Sequence, residues 1–227
     1  MISLFLRPEH RKKNTTSITF PLCKQELEIL FNNKYQRNFS RRSFLLDSLI
    51  QKMNIKDFLI SKHGVYYSST YGGLPNLSDF SYNKTNFIET YRKTFNPRLH
   101  TQLNPTINLS ELNIKYRFNN IFEVFTSSHF SSMHALNSAF IDIKAGKVEQ
   151  ALVFSVFDCE NKQFFEKHLR NKEKYHLSEG VVGLIFQKED LPFIEKYKFK
   201  RFDNKIYYGS ADYLMNLCLE VNSEIKQ

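Results

Sequence analysis

The chain has 227 residues, 41% of them hydrophobic and 24% charged, enough for one domain with a sizeable core and too few for two large ones. A formal net charge of +9 raises nucleic acid, anionic membrane surfaces and acidic proteins as partners. The charge is scattered over Arg11-Lys12-Lys13, Arg41-Arg42, Lys167 to Lys174 and Lys196 to Arg201, without a helix-turn-helix, zinc-finger or RNA-recognition signature, so nucleic acid is not an expected partner.

In chain order, residues 1–20 read as an opening strand and a polar loop, and Pro21 opens a short helix expected over Leu22 to Asn32. Ser40 is a candidate N-cap for a helix over Arg41 to Met53 that buries Phe44, Leu45, Leu49 and Ile50. Gly64 to Ser69 is a β-prone run leading into Gly72-Gly73, which must turn. Phe80 to Phe95 reads as a helix. Asn96-Pro97 and Asn104-Pro105 punctuate a loop, and Asn108 to Phe118 gives another amphipathic helix, with Leu109, Leu112, Ile114 and Tyr116 only loosely periodic.

The stretch from Glu123 to Phe154 reads as strand, sharp turn, helix and strand. Phe122, Val124 and Phe125 form a short apolar run that suits a buried strand, broken by Thr126-Ser127-Ser128-His129. Met133, Leu136, Phe140 and Ile143 then recur at helical spacing, with Ala135 and Ala139 on the same face. Ser131 or Ser132 is the expected N-cap, and Gly146 follows the helix end. Ala151 to Val156 is a second buried strand. Asp158 to Leu177 is charged and partly helical, Ser178 to Gln187 returns to strand, and Ile194 to Arg201 and Lys205 to Tyr208 are expected as edge strands. Ala211 to Val221 forms a last helix on Leu214, Leu217, Leu219 and Val221.

A strand feeding a tight turn at a helix N-terminus is how many enzymes expose a nucleophile, and here His129 stands at the apex. Ser127-Ser128-His129-Phe130-Ser131, Gly146-Lys147-Val148-Glu149-Gln150-Ala151-Leu152-Val153 and Ser178-Glu179-Gly180-Val181-Val182-Gly183-Leu184-Ile185-Phe186 resemble three successive motifs of the β-ketoacyl synthases: the active-site turn, the segment after its helix, and a glycine-rich strand. Arg41-Arg42-Ser43, Tyr67 to Gly73, Asn104-Pro105-Thr106 and Phe157-Asp158 are similar to pieces of a short subgroup, the chain-length-factor-like subunits of type II polyketide systems that make aryl polyene or flexirubin-type pigments. The resemblance covers roughly Arg41 to Lys188, the N-terminal half of a condensing enzyme.

The resemblance implies an α/β fold, half of a thiolase-like arrangement, with a mixed five-stranded sheet and helices on both faces, over one domain spanning residues 1–227. It places the family's cysteine nucleophile on His129 and assigns the two triad histidines to a C-terminal half that this chain lacks. A histidine cannot hold an acyl group as a thioester, so a non-catalytic subunit in a heterodimer with a full-length ketosynthase is implied. Acyl carrier protein, strongly acidic, is the implied user of the charge surplus. Phe130, Ser131, Met133 and His134 are expected at the turn and acyl tunnel, and Phe122, Val124 and Phe125 at the dimer interface. Phe130 fills space that an acyl chain otherwise uses, and His134 is expected as a satisfied core or interface histidine.

The alternative is a stand-alone acyl-transfer enzyme using His129 or a nearby serine. The serines Ser127, Ser128, Ser131 and Ser132 lack the flanking glycines of a hydrolase elbow. Glu179-Gly180-x-x-Gly183 is expected to allow close backbone approach rather than to hold phosphate. Cys23, Cys159 and Cys218 show no metal or redox spacing, so no metal and no cofactor is expected. No apolar run approaches the ~18 residues of a membrane span, the N-terminus lacks a signal-peptide pattern, and a cytoplasmic location is expected.

Overall fold

The computed structural model describes residues 2–4, 41–53, 62–70, 104–118, 121–157, 176–177, 180–200 and 206–224. In chain order these are β1 (Ile2–Leu4), α1 (Arg41–Met53), β2 (His63–Ser69), α2 (Pro105–Tyr116), β3 (Ile121–Phe125), a 3-10 turn (Ser128–Phe130), α3 (Ser131–Lys144), β4 (Gln150–Phe157), β5 (His176–Leu177) and β6 (Gly180–Gln187). A second 3-10 turn (Lys188–Asp190), α4 (Leu191–Lys196), β7 (Ile206–Tyr207) and α5 (Ala211–Glu224) follow.

Four strands of five to eight residues carry the main sheet, and the three residues of β1 lie along its edge, in the order β1-β6-β4-β2-β3. β2 runs parallel to both β3 and β4, while β6 is antiparallel to β4. β5 and β7 pair separately. The sheet is mixed and covered by helices on both faces, as the α/β expectation requires.

Side-chain alternation explains the two-sided cover. Val65 and Tyr67 of β2, Leu152, Phe154 and Val156 of β4, and Val181 and Ile185 of β6 pack with Leu45, Leu49 and Met53 of α1 and Leu109 and Leu112 of α2. The intervening Tyr66, Ala151, Val153, Val182, Leu184 and Phe186 face Ala135, Leu136, Ala139 and Ile143 of α3 and Leu214, Met215 and Cys218 of α5. Gly180 and Gly183 serve opposite faces. A Cβ on Gly180 would meet Met215, and one on Gly183 would meet Met53, Leu49 and Phe154. That is the close approach expected of the glycine pair, while Ser178 and Glu179 lie outside the described residues.

One buried carboxylate pins each face. Under α1 and α2, Asp47 accepts from Lys115 Nζ at 2.7 Å and from the Tyr116 hydroxyl at 2.6 Å. Under α3, Asp142 accepts from the Tyr66 hydroxyl at 2.9 Å and from Lys147 Nζ at 2.7 Å. Burial first, then the hydrogen bond to the carboxylate, pushes both tyrosine hydroxyls well above their ordinary range.

Several expectations are corrected. Ile194 to Lys200 is not an edge strand, and Arg201 lies outside the described residues: Leu191–Lys196 is a short helix, because Pro192 suits a helix's first turn and Asp190 and Gln187 form a capping box just before it. Asn104-Pro105 opens α2 rather than a loop, since Asn104 Oδ1 accepts from Thr106 N at 3.0 Å as the N-cap. Ile114 and Leu219 are exposed, at 82% and 40%, and Met133 and Phe140 are half-buried, so each of these helices buries a narrower stripe than its apolar residues suggested. β3 is a half-buried edge, not a buried strand. The expected helices Leu22 to Asn32 and Phe80 to Phe95, Ser40, the side chains of Phe44 and Val221, and residues 158–175 lie outside the described residues.

Two predictions follow from this packing. Gly209 has φ +55°, and a Cβ there would overlap the Phe157 ring and the Thr70 hydroxyl. Gly209→Ala should cost about 3 kcal/mol, whereas Gly146→Ala, with φ +70° and open space, should cost only about 1 kcal/mol; urea denaturation reads both. Because Tyr66 and Tyr116 hold their protons longer when folded, stability should fall as pH rises above about 10, where unfolded tyrosines ionise. The drop in urea midpoint should shrink in the Tyr66→Phe, Tyr116→Phe double variant.

Candidate functional site

The β3–α3 turn lies at the carboxyl ends of the parallel strands β2, β3 and β4, where open α/β sheets place their sites. Thr126 and Ser127 are exposed, and Ser128 has φ +58°, a left-handed conformation that costs a non-glycine residue. Ser131 fixes the turn: its Oγ accepts from Ser127 N at 2.6 Å and donates to Ser128 O at 2.7 Å. Neither Ser131 nor Ser132 is the N-cap. Phe130 holds that position without a side-chain cap bond, because Ser131 is committed backwards into the turn. Ser132 is buried, with no hydrogen-bond partner for its Oγ.

His129 stands at the apex, half-buried. Its ring lies 3.8 Å from that of Phe130 and 6.3 Å from that of Tyr213, stacked on the latter at 26°. Phe130, 43% exposed, stacks on Tyr213 at 5.9 Å and 18°. Phe199 meets Tyr213 edge-on at 6.1 Å, and Tyr197 meets Phe199 likewise at 5.3 Å. Burial raises the Tyr197 hydroxyl to about 12; it accepts from Asn216 Nδ2 at 2.8 Å. Ser128 Oγ lies 3.4 Å from His129 Nδ1, long for a hydrogen bond.

The structure brings His129, Phe130 and Ser131 together, with half-buried Met133 one turn further on α3. His134 is exposed, so the core reading of it is corrected: it sits on the outer face of α3, away from the Ala135–Leu136–Ala139 stripe. Phe122, Val124 and Phe125 lie on the sheet's edge strand, and Glu123 accepts from the Ser138 hydroxyl, tying that edge to α3. Cys218, the one cysteine among the described residues, is fully buried in the core, and burial pushes its thiol up, away from the reactive thiolate. Tyr213 and Phe199 escaped the sequence reading. Tyr213 lies off the apolar stripe of its helix and is 84 positions from His129 (213 − 129), and nothing in the sequence pairs them. Among the described residues no cluster of three His, Cys, Asp or Glu could hold a metal, and no helix is long and apolar enough to cross a membrane.

No protein-family model matches the chain, and no curated protein does. Solved structures match with probability 1.00. One is the AntDE:AntF complex, a type II PKS acyl-carrier protein with its ketosynthase bound to the hexaketide: 19% identity, TM-score 0.56, covering 77% of this chain and 53% of that one. The ishigamide ketosynthase/chain length factor matches at 18% identity and TM-score 0.55, over 71% of this chain and 48% of the other. The ketosynthase ApeO in complex with its chain length factor ApeC, from Xenorhabdus doucetiae, matches at 14% and 0.52, over 75% and 64%. These likenesses define the fold as the α/β fold of ketosynthases and chain length factors. The chain spans about half to two-thirds of the length of the solved chains it matches.

The turn makes a two-signed prediction. Ser131→Ala should lower stability by about 1 to 2 kcal/mol, because it removes the two hydrogen bonds that the buried Ser131 hydroxyl makes to a partly exposed turn. Ser128→Gly should raise stability by up to about 1 kcal/mol by relieving the left-handed backbone. Urea midpoints of the two variants check the signs.

Proposed function

We propose that this chain is a non-catalytic, chain-length-factor-like partner of a full-length ketosynthase, in a type II polyketide or fatty-acid-like system of the polyene-pigment kind. The observation that carries it is the imidazole of His129 at the apex of the β3–α3 turn, on a ketosynthase-type fold, where the resemblance expects a thiolate. Condensation needs a sulfur nucleophile activated by its surroundings, and the thiol of Cys218 is locked in the core. The edge strand β3 supports a heterodimer: it presents Phe122, Val124 and Phe125 half-buried, and an apolar strand edge is stable in water only when covered. Acyl carrier protein, acidic where this chain is basic, is the second proposed partner.

A stand-alone acyl-transfer enzyme has one observation in its favour, the Ser128–His129 contact. A nucleophile and its base need a hydrogen bond of about 2.6–3.2 Å, and the Ser128–His129 contact is longer, at 3.4 Å.

Incubated with acyl-pantetheine thioesters, the purified chain should carry no covalent acyl group by intact-mass spectrometry, and His129→Cys should not create condensing activity. An adduct on His129, Ser128 or another turn serine would end the non-catalytic reading. Co-expressed with a cysteine-containing ketosynthase from its own cell, the chain should co-purify, and Phe122→Asp or Phe125→Asp should weaken that assembly at least about tenfold. Met133 substitutions should change product length without changing assembly.

A further inference from the structure

We propose that Glu123 makes the β3 edge selective: its carboxylate repels a second copy of this chain and requires a partner strand that brings a lysine or arginine opposite it. The inference deepens the partner-subunit reading and rests on it for the identity of that strand as the ketosynthase's. Among the described residues β3 ends the sheet and is paired on one side, to β2. Glu123 is the middle residue of the five in Ile121–Phe125 and carries the strand's one charge. Ile121 and Phe125 pack toward α3 and α5, and Phe122 and Val124 toward α1 and α2. Alternation therefore sets Glu123 on the α3 face, between two apolar side chains. There it accepts from the Ser138 hydroxyl and stands beside Tyr66 in the sheet register. Lys147, which feels its charge, is closed on Asp142 at 2.7 Å. Among the described residues no cation pairs with Glu123.

Antiparallel pairing about a twofold axis is the self-complementary way for two copies to cover such an edge. The register that pairs the whole strand sets Ile121 opposite Phe125, Phe122 opposite Val124, and Glu123 opposite its own copy. Directly opposed residues point to one face, with Cβ atoms about 4.5–5.5 Å apart, and like charges so placed are destabilising. A slip of two residues separates the carboxylates but leaves the outer residues of both strands unpaired. A slip of one sets side chains of opposite faces against each other. An inward-pointing charge is one way an edge strand is kept from pairing with copies of itself. The same charge restricts every other partner. A strand that covers β3 takes Glu123 further from water, and a buried carboxylate is costly unless a cation joins it. This chain supplies a hydroxyl there, so the cation comes from the partner strand.

The test is sedimentation velocity on the full-length purified chain, comparing wild type with Glu123→Gln, Glu123→Lys and the control Ser138→Ala. The proposal expects Glu123→Gln to self-associate about tenfold more tightly than wild type, with Glu123→Lys and Ser138→Ala no tighter than wild type. An equimolar mixture of wild type and Glu123→Lys should associate at least about tenfold more tightly than either alone. A purely structural role, through the Ser138 bond, would not produce that gain in the mixture. Should Glu123→Lys melt too low to handle, Glu123→Gln carries the comparison. Equal self-association of wild type and Glu123→Gln overturns the proposal, as does an equal gain in Ser138→Ala or a mixture no tighter than its components. Co-purification with the ketosynthase is read separately, and Glu123→Lys should weaken it. Capture of the ketosynthase by wild type without a gain in the mixture sinks only the role of Glu123. A gain in the mixture without capture sinks only the partner-subunit reading.

Discussion

The hydrogen bond between Tyr66 and Asp142 is the constraint on which the rest of the structure leans. A carboxylate 4% exposed is costly unless its oxygens are paired, and Asp142 is paired by the Tyr66 hydroxyl from the sheet and by Lys147 from the loop beyond the helix. The backbone carbonyl of Asp142 also accepts from Lys147 and Val148, so the passage from α3 into β4 is stitched at the same point. With Ala135 and Ala139 letting the helix lie close on the sheet, the C-terminal end of α3 has one seat. Its N-terminal end is then fixed by Ser131, and the turn that carries His129 is placed from both directions.

That placement sets the chemistry. The apex is packed against the Tyr213 ring of α5, which Phe199 meets in turn, so aromatic rings surround the imidazole. Under the proposed reading, a turn of this geometry that carries a stacked, half-buried imidazole serves recognition and not bond-making. The edge strand beside it, half-covered and apolar, suits the same role.

Much of this was legible in the sequence where one element meets one partner. The helix over Ser131 to Lys144, the strands on either side of it and the helix over Arg41 to Met53 appear at or within a residue of their expected bounds, because each has an unbroken period and a clear breaker. The short segment after Pro192 misled because two aromatic and β-branched residues among lysines read as an edge strand, while the capping chemistry of Gln187 and Asp190 decided for a helix turn. Ile114 and Leu219 misled because apolar character alone does not say which side of a helix the sheet covers. Tyr213 was invisible for a different reason: its stacking on His129 spans 84 positions (213 − 129) and only the tertiary fold creates it.

The central claim, that this chain acts through its β3 edge on a ketosynthase, is tested most directly by hydrogen–deuterium exchange. The amides of Ile121 to Phe125 should exchange fast in the isolated chain on the side not paired to β2, and should become strongly protected when the co-purifying ketosynthase is bound. β3 amides that exchange identically with and without that ketosynthase, or protection confined to the exposed faces around Ile114 or Ile141, would contradict it.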